Sequence, residues 1–189
     1  MGIDHSEIRL DFGQGHSDKS LYDKAATIRT QVFQVEQGYK HEFDQLDGDA
    51  AIHFVAEVPA SVAAQLDSSL HGGGEYQAVA AGRIYQLLYK AEECKPNSPA
   101  YPLEMVFSLG RICCLKPFRG QGLGLLILNK MVSTAKRLGA NKLVLNAQAD
   151  KVGFYARSGF TVIQQDGKDW CFEDEGNPHV GMQLLCDSD

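Results

Sequence analysis

Apolar and polar residues alternate along Ile8-Arg-Leu-Asp-Phe12, the period of a half-buried strand. The period then lengthens. Leu21, Ala25, Ile28 and Val32 fall on one helical face, and Ser20-Leu-Tyr-Asp23 reads as a capping box at its start, so the pattern predicts a helix that fades near Phe33. The polar, acidic run from Glu36 to Asp49 predicts a loop with at most a short helical turn, and Ile52-His-Phe-Val-Ala56 a second strand. Ala60 to Tyr76 is rich in Ala, Ser and Gly and reads as a hairpin tip or insertion with little core of its own. Ala78 to Tyr85 is a third strand, and the proline-bearing excursion from Lys90 to Pro102 should be irregular.

From Val106 the pattern sharpens. Leu109-Gly-Arg-Ile-Cys-Cys-Leu115 predicts a strand, then a Lys-Pro-Phe turn and a glycine loop. The next helix carries Leu123, Ile127, Met131 and Ala135 on one face, with Lys136 and Arg137 in its last turn and Gly139 as its stop. Lys142 to Ala147 is a strand, Asp150 to Ser158 a short helix closed by Gly159, Phe160 to Ile163 the start of a strand, and His179 to Leu185 a final alternating strand. The order predicts a mixed α/β (α+β) fold in one domain over residues 1–189, with polar insertions near 60–76 and 90–102.

With 189 residues and 44% hydrophobic content, the chain can bury a sizeable core. Its net charge of −6 argues against nucleic acid as the main partner and suits a cationic one. No apolar run is long enough to span a bilayer, and the start of the chain lacks the apolar core of a secretory signal, so no membrane role is expected. The five cysteines, Cys94, Cys113, Cys114, Cys171 and Cys186, form no Cys-x-x-Cys pair. They read as unpaired thiols in the reducing cytoplasm, with no metal site.

The strongest chemical signal is Arg119-Gly-Gln-Gly-Leu-Gly124, placed between a strand and a helix. A helix N-terminus presents unpaired N–H groups and about half a positive charge, which attracts phosphate. Gly120, Gly122 and Gly124 admit close approach and positive φ, and Arg119 can add a charge-assisted contact. The last glycine of a dinucleotide fingerprint and the Gly-Lys-Ser/Thr of a P-loop are both missing.

What remains, Arg-x-x-Gly-x-Gly after a strand and opening a helix, resembles the GNAT superfamily of N-acetyltransferases. The segment from Asn146 through Phe154-Tyr155 to Gly159-Phe160 resembles the same family's strand-to-helix segment, at the right distance downstream. The resemblance implies a central mixed, mostly antiparallel sheet flanked by helices on both faces and splayed into a slot for acetyl-CoA. It further implies that Arg119, Gly120, Gln121, Gly122, Leu123 and Gly124 grip the pyrophosphate, that Ile112, Cys113 and Cys114 offer backbone groups to the pantetheine arm, and that Asn146 and Phe154 border the cofactor. Adjacent strand residues face opposite ways, so Cys113 and Cys114 cannot share a metal, and both read as buried and inert.

Acetyl transfer to an amine expels a thiolate, and Tyr155 is the family-placed phenol that can return a proton to it. The attacking amine must also lose a proton. Glu36, Glu104, His53 and His179 are candidate bases, and a water chain to solvent would serve as well. Arg29 to Gln37, then Glu42, Asp44, Asp47 and His53, together with Glu173 and Pro178-His179, resemble an ElaA-like branch of the family. On that likeness Glu36, Asp44 and His53 would bind a cationic amine, unless the acids form a solvated loop. The expected activity is direct acetyl transfer from acetyl-CoA to the primary amine of a small molecule, and a homodimer is compatible with it. The rivals are an acyl-CoA-binding sensor without turnover and a peptide or lysine acetyltransferase.

Overall fold

The alternating segment near the start folds as β1 (Arg9–Gln14) and pairs antiparallel with β2 (Ile52–Pro59), from Arg9↔Glu57 to Gln14↔Ile52. Between them lies α1 (Lys19–Arg29), whose Leu21, Ala25 and Ile28 bury against Val55, Ala78 and Ala81 as their helical spacing requires. The computed structural model describes residues 2–15, 17–70, 74–87 and 105–186. The excursion at 90–102, Cys94 and Glu104 lie outside the described residues.

Three local expectations change. The cap of α1 is Asp18, whose carboxylate accepts from the Leu21 N–H at 3.0 Å, so Ser20 lies inside the helix. The helix does not fade at Phe33. It widens into a π-helical stretch, Thr30–Glu36, which carries Val32 to the core and Glu36 to its end. Residues 60–66 form a helix, α2 (Ala60–Leu66), with Ala63 fully buried. Its alanines favour helix, and the glycines that suggest a loop belong only to the segment after it.

Then follow β3 (Tyr76–Gln86), β4 (Val106–Cys114), α3 (Leu123–Arg137), β5 (Lys142–Gln148) and the short α4 (Val152–Ala156). The end of the chain is more divided than its pattern suggests, with β6 (Thr161–Val162), a β7 (Gln164–Gln165)–β8 (Lys168–Asp169) hairpin, β9 (Cys171–Asp174) and β10 (Asn177–Leu185). The mixed sheet has eight strands among the described residues, in the order β1-β2-β3-β4-β5-β10-β6, with β9 also on β10 and helices flanking it. The β4–β5 pair is parallel, while β5–β10, β10–β6 and β10–β9 are antiparallel. The β4–β5 ladder ends at Leu109↔Leu145, although β4 runs on to Cys114 and β5 to Gln148.

Two compact units emerge, Met1–Arg83 with Arg111–Met131, and Ile84–Gly110 with Val132–Asp189. In the first, α3 packs directly on the β3 backbone at Gly82, where a Cβ would lie 2.6 Å from Ile127 Cγ2 and 2.5 Å from Met131 Sδ. In the second, Leu143, Leu145 and Ala147 of β5 and Met182 of β10 form a dry interior with Phe107, Leu109 and Phe160. Each such fully buried large side chain contributes about 1.5–3 kcal/mol.

Candidate functional site

In the first unit the residues after β4 turn sharply on the buried Phe118 and enter α3. Gly120 and Gly122 take φ of +77° and +81°, values open to glycine but strained for other residues. The turn delivers the chain to the N-terminus of α3, whose first N–H groups have no acceptor within the helix. The face of Gly120 is open, with nothing within 4 Å of where a Cβ would sit. Such a nest of N–H groups suits a phosphate.

The opposite side of the loop is supported from the start of the chain. The His5 ring donates through Nε2 to the Gln121 carbonyl at 2.7 Å, and the Ile3 N–H donates to Gln121 Oε1 at 3.2 Å. A Cβ on Gly122 would lie 2.8 Å from His5 Cε1. Ile3 and His5 were not among the expected site residues. They sit more than a hundred positions from the loop, and no short-range spacing marks them.

Arg119 is already engaged. Its Nε donates to the Cys114 carbonyl at 2.9 Å, and both terminal nitrogens donate to the two oxygens of Glu36 at 2.7 Å. Those hydrogen bonds lower the Glu36 pKa and raise that of Arg119. Glu36 is therefore a poor proton acceptor in this arrangement. On β4, burial pushes the Cys114 thiol up to about 12 and the Cys113 thiol higher still, so both stay protonated. A cleft of about 1320 Å³ runs along α1 past Thr27 and Gln31 to Glu36, Leu115 and Lys116 at the root of the loop.

The acidic loop before β2 is an internal ion network. Arg29, wholly buried, donates to Glu42 Oε1 and Asp47 Oδ1, each at 2.6 Å. Arg83 donates to Asp44 at 2.9 Å and Asp47 at 2.7 Å, and Arg111 pairs with Glu42 at 3.1 Å. Three guanidinium groups thus neutralise Glu42, Asp44 and Asp47. The loop presents little of the negative field that clustered acids suggest. Burial works to raise the Asp47 pKa, but the Arg29 hydrogen bonds, the Asp44 N–H and Arg83 hold it well below the usual carboxylate range. Arg111 itself takes φ of +55° inside β4, an unfavourable backbone for a side-chain-bearing residue, and its ion pair with Glu42 holds it there.

His53 is fully buried against this network, its Nε2 donating to the Asp47 carbonyl at 2.9 Å and its ring edge-on to Tyr22 at 5.1 Å. Burial lowers its pKa and keeps it neutral. Glu36, Asp44 and His53, read as amine-binding residues, thus each bond within the fold. The signal for this was the three arginines, which lie far from the acids in sequence.

In the second unit, Asn146 sits exposed on β5 opposite Gly181, and β5 leads through a turn, Ala149–Lys151, into α4. There Phe154 and Tyr155 meet edge to face at 5.0 Å, and Tyr155 meets Phe160 likewise at 6.2 Å. His179 pairs across from Gln148 on one side and Phe172 on the other, and its ring stacks on Phe172 at 5.6 Å. Its Nδ1 lies 2.9 Å from the Asn177 carbonyl. Among the described residues, no group of three or more His, Cys, Asp or Glu side chains could hold a metal ion, and no helix is long and apolar enough to cross a membrane.

Residues 97–186 match a family model described as an acetyltransferase (GNAT) domain. Over 74 residues the chain is 38% identical to the uncharacterized N-acetyltransferase YjcF of Bacillus subtilis, covering 39% of this chain and 50% of that protein. The chain spans about half the length of the curated relatives it matches. An acyl-CoA N-acyltransferase from Pseudomonas aeruginosa has the same fold, with a TM-score of 0.64 and 24% identity over 93% of this chain and 98% of that one. Escherichia coli ElaA does too, with a TM-score of 0.65 and 23% identity over 93% and 98%.

Proposed function

We propose, from the match of residues 97–186 to the GNAT acetyltransferase domain and from the fold the chain shares with such enzymes, that it moves an acetyl group from acetyl-CoA to the primary amine of a small molecule. The observation that carries the reading is the glycine loop, with left-handed Gly120 and Gly122 at the N-terminus of α3 and an open face at Gly120. Acetyl-CoA, when bound, supplies an acetyl group activated as a thioester.

In this proposal the N–H groups from Gly120 to Gly124 hold the pyrophosphate, with Arg119 completing the grip. Ile112, Cys113 and Cys114 present backbone to the pantetheine arm, and Asn146 and Phe154 border it. The amine attacks the thioester carbon directly. A covalent acyl-enzyme on Cys113 or Cys114 is disfavoured, because burial keeps both thiols protonated and weakly nucleophilic. The C–N bond forms as the C–S bond breaks, Tyr155 gives its phenolic proton to the departing sulfur, and the proton shed by the acylated nitrogen restores the phenol.

The test pairs two measurements on the wild-type protein. Acetyl-CoA binding is titrated directly, and thiol release is followed over a panel of small amines beside a lysine-bearing peptide. Saturable binding with release on small amines supports the proposal. Binding without release on any acceptor makes the protein an acyl-CoA sensor, and release on the peptide alone moves the acceptor class. No binding would remove the activity altogether.

A further inference from the structure

We propose that His179 is the general base that takes the proton from the incoming ammonium; this rests on the acetyl-transfer reading and deepens it. Of the candidate bases, Glu36 is committed to Arg119 at 2.7 Å through both oxygens. His53 is 0% exposed and donates through Nε2 to the Asp47 carbonyl inside the ion network. Glu104 lies outside the described residues. His179 differs from the others in its free atom.

A carbonyl oxygen only accepts, so the 2.9 Å contact with Asn177 makes Nδ1 the protonated nitrogen and leaves the lone pair on Nε2. Nε2 bonds to nothing among the described residues. It is also not one of the buried polar atoms left without a partner, so it keeps some exposed surface although the residue as a whole is 7% exposed. The ring cannot swing freely, because Phe172 stacks on it with planes 21° apart and β10 is paired on both sides, to Gln148 and to Phe172. An oriented imidazole with one nitrogen anchored and the other open is what proton abstraction requires.

The position fits as well. β10 packs on the turn Ala149–Lys151, which in turn packs on α4, the helix of Tyr155. The titratable groups on the packed elements are Lys142 of β5, Cys171, Glu173 and Asp174 of β9, Tyr155 of α4, and Asp150 and Lys151 of the turn, which pair with each other. None of the acids among these forms an ion pair with the imidazole. The step balances simply. Nε2 accepts the proton from the ammonium, the freed amine forms the C–N bond as the C–S bond breaks, the departing sulfur takes its proton from Tyr155, and the second proton shed by the acylated nitrogen returns to the Tyr155 phenolate.

The experiment measures kcat/KM against pH for wild type, His179→Phe, His179→Gln and Glu104→Gln, with acetyl-CoA affinity and melting temperature on each. His179→Phe keeps a stacking ring and removes the proton acceptor. The expected result is a rate loss of about 10²–10⁴-fold, unchanged acetyl-CoA affinity, disappearance of the acidic limb and partial rescue by added imidazole. A merely structural histidine would give neither the lost limb nor the rescue. A folded His179 variant at the wild-type rate overturns the assignment, as does the same loss appearing in Glu104→Gln with His179→Gln unaffected. If neither His179 variant folds, the wild type still decides. An acidic limb that stays fixed when acceptors of different basicity are compared belongs to the protein and supports the base, and its absence overturns it. A wild type that neither binds acetyl-CoA nor releases thiol overturns the acetyl-transfer reading itself, before any variant is made.

Discussion

The two units solve the same problem, holding a functional segment still, by opposite means. In the first, Arg29, Arg83, Glu42, Asp47, Glu57 and His53 are all buried, and the loop that carries Glu42 and Asp47 has few buried apolar side chains of its own. In the second, Thr134 and His179 alone are buried polar residues among the described ones, and Tyr155 and His179 are set by Phe154, Phe160 and Phe172. Buried ion pairs add little net stability over apolar packing, but removing one partner leaves an uncompensated charge. The first unit is therefore a geometry with a severe penalty for error, and the second a packing that tolerates gradual change.

The largest expected effect breaks the ionic side. Asp47→Asn leaves Arg29 and Arg83 short of a charge and should destabilise by about 3–5 kcal/mol in denaturant unfolding. It should also carry a pH signature. The folded pKa of Asp47 lies below its ordinary value of 3.8, so its contribution is present above that value and is lost as the pH falls through it toward the lower folded one. The acid limb of stability should flatten in the variant. Leu145→Ala, in the dry unit, should cost a similar ~2–5 kcal/mol with no such pH signature. Equal pH profiles in the two variants would erase the contrast.

Next in size is Tyr155→Phe, which asks whether the aromatic side is more than packing. The ring remains and the proton donor goes. Turnover should fall by about 10²–10³-fold, a barrier of about 3–4 kcal/mol, with acetyl-CoA affinity and melting temperature nearly unchanged. Single-turnover rates are the measurement, since slow product release would hide the loss. Intact turnover with a lowered melting temperature would make Tyr155 a core aromatic.

What was legible in the sequence follows the same division. The α3 face at Leu123, Ile127, Met131 and Ala135, the glycine loop and the β5–α4 segment all announce themselves over short spans, because helical period and left-handed turns are local properties. The ion network does not. Arg29, Arg83 and Arg111 meet Glu42 and Asp47 only once the strands align, so acids that read as a solvated or substrate-facing loop turn out to be interior. The support of Gly122 by His5 was invisible for the same reason. The helix at 60–66 is hidden in composition, because alanine favours helix and glycine breaks it, and the stretch from 60 to 76 holds both.

A smaller effect separates two glycines of one loop. An alanine at Gly120 or Gly122 must adopt positive φ, at about 1–2 kcal/mol. At Gly120 that is all, since the site is open. At Gly122 the methyl also meets His5 at 2.8 Å. Gly122→Ala should therefore weaken acetyl-CoA binding more than Gly120→Ala, and adding His5→Ala should recover part of the loss. No recovery would mean that His5 is a passive neighbour.

The smallest effect compares ion pairs within the first unit. Glu36–Arg119 has the geometry of the buried pairs, but its side chains are 34% and 40% exposed. Water screens it, so Glu36→Gln should cost below ~1 kcal/mol in unfolding, several-fold less than Asp47→Asn. Its effect on ligand affinity is more telling than its size. Glu36 neutralises Arg119, and an incoming pyrophosphate competes for the same guanidinium. Removing the carboxylate charge should thus tighten acetyl-CoA binding a few-fold and steepen its dependence on salt, while Arg119→Ala weakens it. Acetyl-pantetheine, which lacks the pyrophosphate, should bind both variants as it binds wild type. Weaker acetyl-CoA binding in Glu36→Gln would reverse the assignment, making the pair a brace that shapes the loop from Cys114 to Gly122 and leaving the backbone N–H groups to grip the anion alone.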